Sequence, residues 1–160
     1  IYDWLIKKQL SKVDADILVK ISRGNIHNAR MLSSQSIEDI MNTIEKLTTT
    51  VIGKDPQKWR DFISYYSRVF NASHLDFDRR LNLIIIWLQG ANKLRQNLVS
   101  GFERTGLHSR MISFNEKFPN ANIYKIILCI EEVKSLARQN LYMPLILLNM
   151  LLDIQELIYD

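Results

Sequence analysis

The chain has 160 residues, of which 47% are hydrophobic and 24% charged, with a formal net charge of +4 at pH 7. That is enough apolar material for one or two small domains without disulfide support. Five glycines and three prolines are too few for the turns of a β-rich chain, so long helices with short connections are expected. The single Cys129 lies in the apolar run YKIILCIEE and is expected to be a buried, inert thiol, in keeping with a reducing compartment. The apolar tracts LNLIIIWL and YMPLILLNMLL are broken by polar residues well short of the ~18 residues that a spanning helix needs, and no signal-peptide pattern appears. A soluble, cytoplasmic protein is expected. The sequence opens at Ile1 directly into a helical pattern, as a piece of a longer protein would.

Helical periodicity accounts for the whole chain. Tyr2, Leu5 and Ile6 share one face of a first helix. Asp14 is placed to cap a second, which carries Ile17, Leu18 and Ile21 and stops at Gly24. Asn25 caps a third, with Ile26, Ala29 and Met31–Leu32 turned inward. Residues 1–34 are thus expected to form a compact three-helix unit. Ser36 and Asp39 have capping-box spacing before the stripe Ile37, Ile40, Met41, Ile44 and Leu47, which continues to Val51 and Ile52 and ends at Gly53. Asp55 and Pro56 start the next helix, with Trp59, Phe62, Ile63, Tyr66 and Val69/Phe70 on one face. A long helix is expected over 76 to about 98, a loop over 99–107, and a short helix from Met111 to Phe118. Helices from Ile123 to Arg138 and from about Tyr142 to Tyr159 close the chain, with Pro144 tolerated in the first turn of the last. The expected architecture is all-α: the three-helix unit, then a bundle of about five helices over residues 35–160.

A search for chemistry finds no catalytic or metal-binding constellation. His27, His74 and His108 are far apart in sequence, and none has a Cys or carboxylate at metal-ligand spacing. The GKD at 53–55 lacks the remaining glycine and the Ser/Thr of a phosphate loop. Glu131 and Glu132 read as the solvated face of a helix, and Trp4, Trp59 and Trp87 as packing residues. Arg79 and Arg80 at a helix start, with Lys93 and Arg95 further along, are weak candidates for phosphate contacts. Basic charge at a helix N-terminus opposes the macrodipole, so an anion or an acidic neighbour is expected there. A basic, all-helical nucleic-acid-binding module is the alternative this suggests. The stronger signal is apolar. The helices containing Ile84–Trp87 and Leu145–Leu152 are apolar on more than one face, so each is either central or shared with another subunit. Ile84, Ile85, Trp87, Leu145, Leu148 and Leu152 are the candidate interface residues.

The order of these features resembles one protein family. ILVKISRGNIHNARML is similar to the lid of AAA+ clamp-loader subunits, and LTTTVIGKDPQKWRDFISYYSRVF resembles the first helix pair of their collar domain. FDRRLNLIIIWLQGANKL is similar to the long central collar helix. FNEKFPNANIYKIILCIEEVKSLARQNLYMPLILLNMLLDIQELI resembles the C-terminal end of the delta-prime members of bacterial DNA polymerase III, with its Phe-Pro-Asn-Ala linker and Arg-x-Asn helix end. The resemblance implies a lid remnant in residues 1–34 and a collar, or oligomerisation, domain in 35–160. It also implies membership of a hetero-pentamer with other clamp-loader subunits, which meets the sliding clamp and primed DNA indirectly and has no membrane or small-molecule substrate. In ATP-hydrolysing members an arginine, the second sensor, stands three residues after the lid glycine. His27 occupies that position after Gly24 and Asn25, and a shorter, largely neutral imidazole cannot reach and clamp a phosphate as a guanidinium does. The resemblance therefore implies a subunit that is not itself an enzyme. ATP would enter only through an upstream domain or through partner subunits.

Overall fold

A computed structural model describes residues 1–139 and 141–159 of the chain. The described residues contain helices and no strand. The first part comprises α1 (Tyr2–Lys7), α2 (Lys12–Ile21) and α3 (Ile26–Leu32). The bundle comprises α4 (Ile37–Ile52), α5 (Pro56–Ala72), α6 (His74–Arg95), α7 (Gly106–Lys117), α8 (Ile123–Leu136), a 3₁₀ turn (Ala137–Gln139) and α9 (Met143–Tyr159). The expected Arg-x-Asn helix end falls partly outside the described residues, because Asn140 is not among them.

Capping explains most boundaries, and it corrects several expectations. Ser11, not Asp14, caps α2: its extended backbone lets Oγ accept the Asp14 N–H at 3.1 Å, and its hydroxyl donates back to Asp14 Oδ2 at 2.7 Å. Asn25, Ser36 and Asp55 cap α3, α4 and α5 as their spacing predicts. Helix α6 starts at His74 rather than residue 76, because Ser73 is extended and accepts the Asp76 N–H at 3.2 Å. It ends at Arg95, where the left-handed Asn97 (φ 56°) lets the Leu98 N–H return to the Lys93 carbonyl at 2.9 Å. Helix α7 begins five residues earlier than expected, with Gly106 as its first residue instead of part of a loop. Between α2 and α3, Arg23 (φ 50°) and Gly24 (φ 75°) are both left-handed, a reversal that favours glycine.

Helix α6 is the axis of the core. Leu81, Leu83, Ile84, Ile85, Ile86, Trp87, Leu88 and Ala91 are all buried, so its apolar residues face neighbours on every side. Those neighbours are α4, α5, α7 and α8. Gly90 lets α7 approach closely, since a Cβ there would lie 2.8 Å from Met111 Cε. The physical reason that Ile84, Ile85 and Trp87 repeat without a polar face is therefore internal. They are packed within the chain and are not an interface, which corrects half of the expected set. Leu5, Ala15, Leu18, Ile21 and Leu32 of the first three helices join the same continuous apolar core. An Arg23–Glu131 ion pair at 4.0 Å links α8 to the end of α2.

Candidate functional site

Helix α9 lies at the edge of the bundle, packed on α8, α5 and α4. Its inward side is set by Met143, Leu147, Met150, Leu151, Ile154 and Ile158, all buried. Gln155 locks the rotation: the two N–H bonds of its buried Nε2 are shared among the carbonyls of Val51, Ile52 and Gly53, at 3.1, 3.0 and 3.2 Å. These carbonyls belong to the end of α4, where backbone acceptors lack helical partners. With the inner face pinned, the i, i+3, i+7 series Leu145, Leu148 and Leu152 points outward, at 54%, 37% and 51% exposure. Asp153 and Glu156 flank this ridge, and α9 contains no Lys or Arg. Nearby, α8 exposes Tyr124 and Leu128, and the turn before α9 exposes Leu141 and Tyr142. The ridge residues are those the sequence singles out on this helix. The flanking aromatic and leucine residues of α8 were not, because the buried stripe of that helix hides them in any helical count.

A second feature escaped the sequence reading. Between α4, α5 and the first half of α6 runs an open groove of about 620 Å³. Its walls carry Leu47, Phe62, Tyr65 and Tyr66, and its charged rim carries Lys46, Lys58 and Arg80 together with Glu45 and Asp61. Both carboxylates are engaged: Glu45 pairs with Arg110 of α7, and Asp61 accepts from Gln57 Nε2 at 3.0 Å. Tyr65 and Tyr66 meet edge to face at 5.1 Å. Burial pushes the Tyr66 phenol up to about 12, despite the opposing pull of the adjacent Arg80 guanidinium. The one signal in the sequence was the consecutive pair Tyr65–Tyr66, of which only Tyr66 fits the buried stripe.

The candidate phosphate contacts are drawn mostly into the protein. Arg80 Nε donates to Asp76 Oδ2 at 3.1 Å, and Arg79 Nη1 lies 3.7 Å from Asp76 Oδ1. Because α6 starts at His74, the arginines lie in its second turn, and Asp76 in the first turn both suits the helix N-terminus and pairs with them. Burial opposes the charge of Arg80, but bonds to Asp76 and Tyr66 outweigh it and hold its pKa above the ordinary value. Arg79 Nε and Nη2 are buried without a hydrogen-bond partner among the described residues. Arg95 is a clamp, not a phosphate contact. It donates to Asn115 Oδ1 at 2.8 Å, to the Ala121 carbonyl at 2.6 Å and to the Phe118 carbonyl. It thereby fixes the Phe118–Ala121 linker against the end of α6, and burial pulls its pKa down. Lys93 is exposed.

His27 is exposed on the first turn of α3, and its backbone N–H donates to the Asn25 cap at 2.9 Å. Gly24 and Asn25 therefore form the helix-to-helix junction that their capping chemistry predicts. Cys129 is half-buried, and burial, reinforced by the Asp153 and Glu132 charges, pushes its thiol up to about 11. It is a poor nucleophile at neutral pH. Among the described residues no three His, Cys, Asp or Glu side chains are grouped to hold a metal ion, and no helix is long and apolar enough to cross a membrane. Comparison with protein-family models, with curated proteins and with solved structures finds no match to this chain.

Proposed function

We propose that this chain is an assembly module, the lid remnant and collar of a clamp-loader subunit of the delta-prime type, acting in cytoplasmic DNA replication. The observation that supports this most directly is the exposed ridge Leu145, Leu148 and Leu152 on a helix whose other face is locked into the core. Aligned leucines on the surface are costly to leave in water and are well suited to covering by a partner. In this reading the ridge docks on other clamp-loader subunits, and the sliding clamp and primed DNA are reached only through the assembled complex. His27 in the second-sensor position carries no permanent charge, which suits a subunit that joins an ATPase ring without hydrolysing ATP. Nucleotide chemistry would then belong to an upstream domain or to partner subunits.

Co-purification with the remaining subunits of a bacterial clamp loader tests this reading. The wild-type chain is expected to be captured, and Leu148→Gln with Leu152→Gln to reduce capture by at least about tenfold, as loss of central apolar anchors does. Failure of the folded wild-type chain to bind any of them sinks the proposal, as does ATP hydrolysis by these 160 residues alone. Binding to DNA with an affinity that falls steeply with salt would instead favour the nucleic-acid-binding alternative.

A further inference from the structure

The α9 ridge and the α4–α5–α6 groove have complementary chemistry and lie on different faces of the chain. The inner face of α9 already packs on α4 and α5, with Gln155 bonded to the end of α4. The outward leucines therefore point away from the groove of their own molecule and cannot fill it. The groove presents an aromatic floor under two cations, Lys46 and Lys58, while the third, Arg80, is held by Asp76. Glu45 is neutralised by Arg110, while Asp61 accepts only from the neutral amide of Gln57 and keeps its charge. Two lysines against one carboxylate leave the rim positive towards a visitor. Lys46 and Lys58 enter no ion pair among the described residues. The ridge presents leucines flanked by Asp153 and Glu156 on a helix without a single basic residue. An amphipathic helix laid with its apolar face in a hydrophobic groove is a recurrent mode of recognition, and opposite charges at the rim set its register.

We infer that the groove of one copy of this chain receives the α9 ridge of a second copy. The inference rests on the reading of α9 as a docking element and adds the surface that accepts it. Because ridge and groove are different patches, the contact is heterologous: each copy that offers its ridge leaves its own groove free for the next. Self-association should therefore grow with concentration beyond a dimer instead of stopping at one.

Sedimentation equilibrium of the wild-type chain, from low micromolar to sub-millimolar concentration, tests this. The expected result is a mean mass that rises past twice that of the monomer. Reversing the groove charges (Lys46→Glu with Lys58→Glu) or the ridge charges (Asp153→Lys with Glu156→Lys) is expected to weaken association at least about tenfold. Combining all four reversals in one chain is expected to restore it. All four positions are exposed, and unchanged helical circular dichroism and unfolding midpoints confirm that the variants fold. A wild-type chain that stays monomeric throughout overturns the inference. So does association that ignores the groove reversal, which would mean ridge-on-ridge packing, or a fourfold reversal that fails to restore it. A monomeric chain that still captures other clamp-loader subunits would overturn this inference and leave the proposed function standing. Failure to capture them by a chain that does self-associate would do the reverse.

Discussion

Helices α6 and α9 look alike in sequence and differ in the protein. Each carries apolar residues around most of its circumference, so each satisfies the pattern of a helix hidden from water. Helix α6 has α4, α5, α7 and α8 around it and buries every apolar residue from Phe77 to Ala91. Helix α9 has neighbours on one side only and leaves Leu145, Leu148 and Leu152 outside. The difference teaches that an all-round apolar pattern reports a helix that needs covering without saying who covers it. In α6 the cover is the chain itself. In α9 the cover is incomplete, and the shortfall is the ridge.

The sharpest way to break the comparison is to empty both helices in turn. Ile85 is fully buried at the centre of α6, so Ile85→Ala removes apolar contacts and leaves a cavity. It is expected to cost about 2–5 kcal/mol in urea unfolding. Leu152→Ala in α9 is expected to change stability by no more than about 0.5 kcal/mol, because the side chain is half in water before the change. Equal losses at the two positions would mean that α9 is covered within the chain and that the ridge does not exist.

The next test concerns how α6 ends. Arg95 holds three oxygens of the α7 end and the following linker with a forked guanidinium. Lysine keeps the charge but cannot present that fork. Arg95→Lys is expected to lose about 1.5–3 kcal/mol, the worth of hydrogen bonds to a charged group. Amide exchange should quicken first near Phe118–Ala121. A change confined to global stability, with no local quickening, would remove Arg95 from its clamping role. Arg95 also shows where sequence reasoning stopped. Its position near Lys93 and its charge suggested a phosphate contact, since both of its carbonyl partners lie more than twenty residues away and no local pattern announces them.

Other parts of the chain were legible for equally physical reasons. Caps at Asn25, Ser36 and Asp55 are local devices, readable from two to four adjacent residues. Helix stripes over 37–52 and 56–72 are periodic and survive any change of neighbour. The apolar pattern singles out Leu145, Leu148 and Leu152 together with Ile84, Ile85 and Trp87, yet the first three are exposed and the last three are core. Whether an apolar face is core or surface depends on how many helices surround it, and that is a tertiary fact. The groove was invisible for a related reason: its walls come from α4, α5 and α6, and no single stretch contains it.

A smaller effect distinguishes the buried wall of that groove from the exposed ridge by pH. Tyr66 is pushed from an ordinary value of 10.0 to about 12 by burial, with Arg80 opposing. A raised pKa means that the folded state holds the phenolic proton more tightly than the unfolded state does. Its contribution is therefore fully present below pH 10 and is lost as pH rises from 10 towards 12. An ultraviolet titration should show one of the six tyrosines ionising last, and Tyr66→Phe should remove that late step. If every tyrosine of the folded chain ionised by about pH 10, their model-peptide value, the hydroxyl would be in water and the groove wider than described.

The smallest expected change, that of Leu148→Gln, is the most discriminating when it is set against the adjacent residue of the same helix. Leu147 is fully buried and Leu148 is 37% exposed, a step of about 100° around α9. Leu147→Gln forces an amide into the core, where a polar group without partners costs about 1–3 kcal/mol in addition to the lost apolar burial. Leu148→Gln leaves its amide in water and is expected to shift stability by less than about 0.5 kcal/mol. The two variants therefore separate the role of α9 in holding the bundle from its role in meeting a partner. A stable Leu148→Gln chain that no longer associates assigns the ridge to assembly, since no loss of fold accompanies the loss of binding. A Leu148→Gln chain as damaged as Leu147→Gln would turn α9 into a second α6, hidden on every side, and would leave the groove without its proposed occupant.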